Sequence, residues 1–305
     1  MPGSGRWGFQ CSTSGEGDRV PPAAPSRSNS DDPPRFGPEA AEALAPLLLE
    51  RDRRLVDAGF GEGSNLPGRN APEETWAAVM TYLGFPVEEN APALRCRPFL
   101  TWIIAALCVV ATLGAMFAGS LSAVINCYGF VPADPLRAGG ITVITSFFLH
   151  SGLLHLAGNV WFLLIAGDNC EDLLGKPCYL LVLAGGTVTA LVTHGLFDPR
   201  PAVPLVGASG GISALLAFYA LALPHVRLAL CLRLGWYPIW FRLSAGWAVA
   251  LWVGWQVVGA VFQLGGVGGT SNLAHLGGAF AGGVAWAAWR CWPARIRDDR
   301  GAAEG

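Results

Sequence analysis

Long stretches without a charged side chain fill the chain from residue 98 onward, and their lengths set the first expectation. A helix needs roughly 20 mostly apolar residues to cross the ~30 Å hydrocarbon layer of a bilayer. Apolar runs of suitable length lie at 99–122, 148–167, 177–197 and 207–223. A further run, 243–289, carries no charge over 47 positions and is too long for one crossing. Gly265, Gly266, Gly268 and Gly269 divide it into a fifth and a sixth helix. The pattern therefore predicts an all-α, polytopic membrane protein with six transmembrane helices.

Ahead of the first run the pattern changes. Residues 1–37 are rich in Ser, Gly, Pro and mixed charge and lack an apolar signal core, so disorder is expected rather than a targeting peptide. Between 39 and 60 a helical repeat carries Leu44, Leu47, Leu48 and Leu55. From Asn70 the sequence Asn-Ala-Pro-Glu resembles a capping box, followed by the apolar stripe Trp76, Val79, Met80 and Leu83 and stopped by Gly84 and Pro86. The expected organisation is a disordered segment 1–37, a small helical cytoplasmic region 38–97, a six-helix membrane domain 98–292 and a short tail 293–305. The linker 225–243 mixes Arg227, Arg233 and Arg242 with Trp236, Tyr237, Trp240 and Phe241, which predicts an interfacial segment in the headgroup layer.

Composition agrees with a bilayer as solvent, since 52% of the residues are hydrophobic and 14% charged. A net charge of −2 leaves no basic footprint for a nucleic-acid partner. The eight cysteines show no CxxC pairing or metal spacing and read as small buried hydrophobes. Basic residues then orient the bundle. With the amino terminus inside, the inner flanks carry Arg95, Arg97, Lys176, Arg227, Arg233, Arg242, Arg290, Arg295, Arg297 and Arg300, against Arg137 and Arg200 outside. Both termini are expected in the cytoplasm, with the chain in a cell (inner) membrane.

This orientation brings four polar side chains to one depth. Ser209 begins the fourth helix, His275 begins the sixth, and His155 and Asn159 lie four residues apart near the outer end of the second. Intramembrane polar groups are rare and usually functional. A serine hydroxyl needs a base, which a neutral imidazole supplies, and acyl transfer needs donors aimed at the oxyanion. His155, Asn159 and the Ser209 N–H are the candidate donors. No acidic residue lies inside the helices near His275, so the unit reads as a Ser/His dyad. Small residues at four-residue steps, Ser209, Ser213 and Ala217 against Ala274, Gly278 and Gly282, would let the two helices approach, although glycine rows also serve generic helix packing. A transporter or channel would need polar residues along a continuous path, and a metal site from His150, His155 and His275 lacks a carboxylate.

Residues 99–291 resemble the rhomboid family of intramembrane serine proteases. The resemblance rests on ordered segments: His150-Ser151-Gly152-Leu153-Leu154-His155-Leu156-Ala157-Gly158-Asn159, Gly167-Asp168-Asn169-Cys170-Glu171-Asp172, Gly207-Ala208-Ser209-Gly210, and Ala274-His275-Leu276-Gly277-Gly278 with Gly282. It implies that Ser209 is the nucleophile, His275 the base, and His155 with Asn159 the oxyanion pair; His150, Gly207, Gly210, Gly278 and Gly282 would be structural. It further implies cleavage of single-pass transmembrane substrates without metal or cofactor, and a partly embedded segment between the first and second spans, which the apolar Ile141 to Phe148 fit. A catalytically inactive relative that binds membrane clients is the alternative with the same fold. Two departures stand out: Ile141-Thr142 replaces the Trp-Arg of many members, and Ser213 takes a position where some members stack an aromatic on the catalytic imidazole. Among the other polar residues, His194 and His225 are expected to be non-catalytic. Glu171 and Asp172 are expected to serve helix ends.

Overall fold

A computed structural model describes residues 71–235 and 237–291. The expectations for 1–37, 39–60 and 293–305 lie outside these residues. Nine α-helices are described: α1 Thr75–Tyr82, α2 Phe99–Phe117, α3 Leu121–Tyr128, α4 Thr142–Phe148, α5 Leu153–Leu174, α6 Lys176–Phe197, α7 Ser209–Ala222, α8 Ala245–Leu264 and α9 Asn272–Cys291. Three of them, α2, α6 and α8, are long and apolar enough to cross a membrane; α4 with α5, bent by 92° at their junction, forms a fourth candidate as a broken span or re-entrant loop.

The charge-free runs correspond to these helices with shifted ends. The first stops at Phe117, five residues early, because Gly119 takes a left-handed φ of +97° and Ser120 caps a separate helix, its hydroxyl accepting from the Ala123 N–H at 3.2 Å. The second begins at Leu153 and continues to Leu174, so His155 and Asn159 occupy its first two turns.

α7 is the centre of the bundle. It packs against α9, α6 and α5, and all its residues from Gly210 to Ala220 except Leu216 are buried. Tyr179, Leu163, Leu215, Phe218 and Tyr219 form the tight middle of the core. By contrast, α8 buries only Ala245, Gln256, Ala260 and Gln263, and turns Leu251, Trp255, Val258 and Phe262 outward. An outward apolar face of this kind suits lipid.

The all-α expectation is corrected by a three-stranded antiparallel sheet, β1 Val87–Glu88, β2 Arg227–Leu234 and β3 Tyr237–Ser244, in the order β1-β2-β3. The linker expected as an interfacial segment is thus a hairpin. Leu228, Leu230, Leu232 and Leu234 recur at every second position, the period of a strand, and Gly235, with φ +63°, opens the two-residue turn between Leu234 and Tyr237.

α1 packs on this sheet through Ala77 and Thr81, and the Trp240 indole donates to the Thr81 hydroxyl at 3.0 Å. Its expected apolar stripe points the other way: Trp76, Val79 and Leu83 are exposed. The expected capping box also fails, since the helix starts at Thr75 and its N-cap Glu74 makes no side-chain cap. Cysteine burial is mixed, with Cys108 and Cys170 buried but Cys96, Cys127 and Cys291 exposed.

Helix ends are served by acidic side chains. The Glu171 carboxylate on α5 accepts from the Leu100 and Thr101 N–H groups at 3.1 and 2.9 Å and from the Thr101 hydroxyl at 3.0 Å. It thereby satisfies orphan donors of the first turn of α2, where the helix dipole favours an anion. Asp172 holds Arg95 and the Cys96 N–H.

Candidate active site

A cavity of about 490 Å³ opens between the first turns of α5, α7 and α9, lined by His155, Asn159, Ser209 and His275 with residues of the loops at 204–206 and 269–271. Its position follows from helix length. α7 has 14 residues, about 21 Å at 1.5 Å per residue, against 20 to 22 residues for α5, α6, α8 and α9. A short helix enclosed by longer ones leaves a hollow above one end, and here that end carries Ser209.

Glycines set the distance between the helices. A Cβ on Gly278 would overlap the Gly210 carbonyl oxygen and stand 3.0 Å from the Ser213 Cβ, and one on Gly282 would overlap the Ala214 carbonyl. α7 and α9 therefore touch backbone to backbone just below Ser209 and His275. On the opposite side of α7 a Cβ at Gly210 would overlap Ala190 of α6. Gly207 serves the loop instead of a helix contact. With φ +123° it turns the chain into α7, and a Cβ there would lie 2.9 Å from the His155 ring. Its N–H donates to the Ser146 carbonyl at 2.8 Å, tying the loop to α4.

The imidazole of His155 is held in one tautomer. The Ser151 backbone N–H and hydroxyl lie 3.3 and 3.0 Å from its Nδ1. A backbone N–H can only donate, so Nδ1 accepts and the ring proton sits on Nε2. Asn159 donates through Nδ2 to the His155 carbonyl at 2.8 Å, and its buried Oδ1 has no protein partner. His150 is fully buried, 3.2 Å from the Thr112 hydroxyl through Nδ1 and edge-on to His155 at 5.1 Å between ring centroids.

Ser209 and His275 share the cavity, but the two do not hydrogen-bond each other among the described residues. His275 is instead held from α8: its Nδ1 lies 2.9 Å from Gln256 Oε1, and the Trp252 ring faces it at 5.9 Å with an interplanar angle of 36°. Ser213, in the position of a stacking aromatic, turns its hydroxyl back to the Ser209 carbonyl at 2.6 Å. Gln256 and Trp252 went unread in the sequence. The signal was present, since Gln256 and Gln263 are the only charged or amide side chains in α8, and unneutralised polarity in a span marks function.

His194 lies outside the cavity. Its Nδ1 is 2.7 Å from the Ser271 hydroxyl, and it stands beside Asp198, which accepts from Arg200 and Gln263. Against the effect of burial, those hydrogen bonds hold the Asp198 carboxyl below the usual carboxylate range. The cluster pins the loop that leads into α9, with the Gln263 Oε1 accepting from the Leu273 N–H at 2.9 Å. Among the described residues no group of three or more His, Cys, Asp or Glu side chains is arranged to hold a metal ion.

Glycine-contacted helices around a recessed serine, a histidine and a His/Asn pair make up a polytopic membrane fold. The Rhomboid domain family model matches residues 137–292, and the chain belongs to the rhomboid family. Presenilin-associated rhomboid-like protein A, mitochondrial, of Danio rerio is 29% identical over 153 residues, 50% of this chain and 37% of that protein. Rhomboid-related protein 1 of Caenorhabditis elegans is 30% identical over 161 residues, 50% of this chain and 41% of that protein. The human presenilin-associated rhomboid-like protein, mitochondrial, is 29% identical over 142 residues, covering 46% and 35%. The match thus spans about two fifths of the length of these relatives.

Proposed function

We propose that this membrane protein is an intramembrane serine endopeptidase acting on single-pass transmembrane proteins, with a membrane domain of six crossings over 98–292. The observation that carries the reading is the single recessed cavity in which the Ser209 hydroxyl and the His275 imidazole stand with His155 and Asn159.

The chemistry divides among these groups. Ser209 Oγ attacks the scissile carbonyl carbon while His275 takes its proton. The oxyanion forms facing the His155 Nε2–H, the Asn159 amide and the Ser209 N–H, a donor left free at the start of a helix. His275 then protonates the leaving nitrogen as the C–N bond breaks. Water entering the cavity attacks the acyl-enzyme carbonyl as His275 takes its proton; the bond from the acyl carbon to Ser209 Oγ then breaks and His275 returns the proton to Ser209, freeing the acid product. None of these steps requires a metal or an organic cofactor.

The test is labelling of the purified chain by a fluorophosphonate together with cleavage of a single-pass reporter in proteoliposomes. Wild type should label and cleave; Ser209→Ala and His275→Ala should do neither, and chelators should change nothing. Turnover by folded Ser209→Ala would remove Ser209 from the reaction. A wild type that neither labels nor cleaves, yet retains single-pass clients, would favour the inactive client-binding alternative.

A further inference from the structure

α8 joins the rest of the bundle along a narrow polar seam. Of its 20 residues, Gln256, Ala260 and Gln263 form the buried line that faces inward, each about one turn from the next. An amide in a membrane helix is costly to leave unpaired, so the partners of these two glutamines report what the helix is built to hold. Gln263 holds the backbone of α9, accepting from the Leu273 N–H. Gln256, 5% exposed, holds the side chain two residues further on, His275, at 2.9 Å.

We propose that Gln256 is the positioning residue of the catalytic base: its side-chain oxygen accepts from His275 Nδ1–H, fixing the tautomer whose Nε2 lone pair is free to take the Ser209 proton. The inference rests on the protease reading for its catalytic consequence, but not for its structural content. An amide oxygen has no proton to give, so the ring proton must sit on Nδ1. A third group that holds the imidazole in the productive tautomer is what a buried carboxylate or asparagine supplies in soluble triads. Here no carboxylate lines the cavity, and a neutral amide fills that role without placing a charge in the membrane. Trp252, one turn earlier on α8, sets its ring 5.9 Å from the His275 imidazole with the planes tilted by 36°. Together they take the place of an aromatic four residues after the nucleophile, where this chain has Ser213.

The two cavity imidazoles consequently carry opposite tautomers. Ser151 places the proton of His155 on Nε2, as an oxyanion donor requires, and Gln256 places that of His275 on Nδ1, as a base requires.

The experiment compares full-length wild type, Gln256→Met, Gln256→Leu and Gln256→Glu in nanodiscs, using protein with ¹⁵N-labelled histidine and His275→Ala to assign the signal. Wild type should show the Nδ1–H form of His275. Met and Leu keep the side-chain bulk but remove the acceptor, so that form should lose its dominance. Glu retains an acceptor oxygen whether ionised or protonated and should restore it. On the single-pass reporter, Met and Leu should lower kcat by about 10- to 100-fold with KM little changed, and Glu should recover most of the loss. Melting temperatures identify any variant that fails to fold, and the remaining variants decide. An unaltered His275 tautomer in folded Gln256→Met or Gln256→Leu overturns the proposal, as does full kcat in either. If wild type cleaves nothing while the tautomer still follows the acceptor at 256, the protease reading fails and the positioning contact stands.

Discussion

Gly278→Ala asks whether the helix contact beneath the cavity sets the alignment of the reacting groups. The added methyl would overlap the Gly210 carbonyl oxygen and stand 2.9 Å from its carbon, and both obstructing atoms are backbone, which cannot rotate away. α7 and α9 must therefore separate by on the order of 1 Å, and a misplacement of that size at reacting groups costs about 100-fold in rate. Overpacking of a tight contact also costs about 1–3 kcal/mol of stability. Gly283→Ala, on the same helix, is the internal control, because a Cβ there has nothing within 4 Å. The same chemical change should be neutral or slightly stabilising at 283, since alanine is the better helix former. Fluorophosphonate labelling rates and thermal unfolding in one detergent measure both effects. Wild-type labelling by Gly278→Ala, or equal losses in the two variants, would refute the idea that backbone contact at Gly210 aligns the site.

Two predictions concern the opposite end of the bundle. Glu171→Ala removes the acceptor for two N–H groups and a hydroxyl at the start of α2, and hydrogen bonds to a charged group contribute about 1.5–3 kcal/mol each when well made, so a loss of that order in unfolding free energy is expected with the site chemistry intact; unchanged unfolding would deny Glu171 its capping role. Burial, partly offset by the Tyr219 hydrogen bond and reinforced by the Asp168 charge, pushes the Glu88 carboxyl up from 4.5 to about 7. The folded protein then binds a proton more tightly than the unfolded chain, so this stabilisation is complete below about pH 4.5 and lost as pH rises through about 7. Wild-type melting temperature should fall over that window relative to Glu88→Gln, and parallel pH profiles would contradict the assignment.

How much was legible depended on which period was being read. Charge-free length located α2, α5, α6, α7, α8 and α9, because the demands of a bilayer are written in composition. The hairpin was equally visible in Leu228, Leu230, Leu232 and Leu234, but aromatic and basic residues beside it invited a headgroup reading that ignored the alternation. The stripe of Trp76, Val79 and Leu83 misled because β2 and β3 accept the small face of α1, where Ala77 and Thr81 permit close approach. At the site, Ser209, His275, His155 and Asn159 stood in recognisable segments. Gln256 did not, although its amide was as unusual in its helix as the imidazole it holds.

The sheet bears on the helix that carries Ser209. β1, just ahead of the first long helix, pairs with the strand that leaves α7, and Glu88 in β1 also accepts from the Tyr219 hydroxyl near the last turn of α7. A rod about 21 Å long connects that clasp to Ser209. The clasp therefore fixes one end of α7, and Ser209 stands at the other.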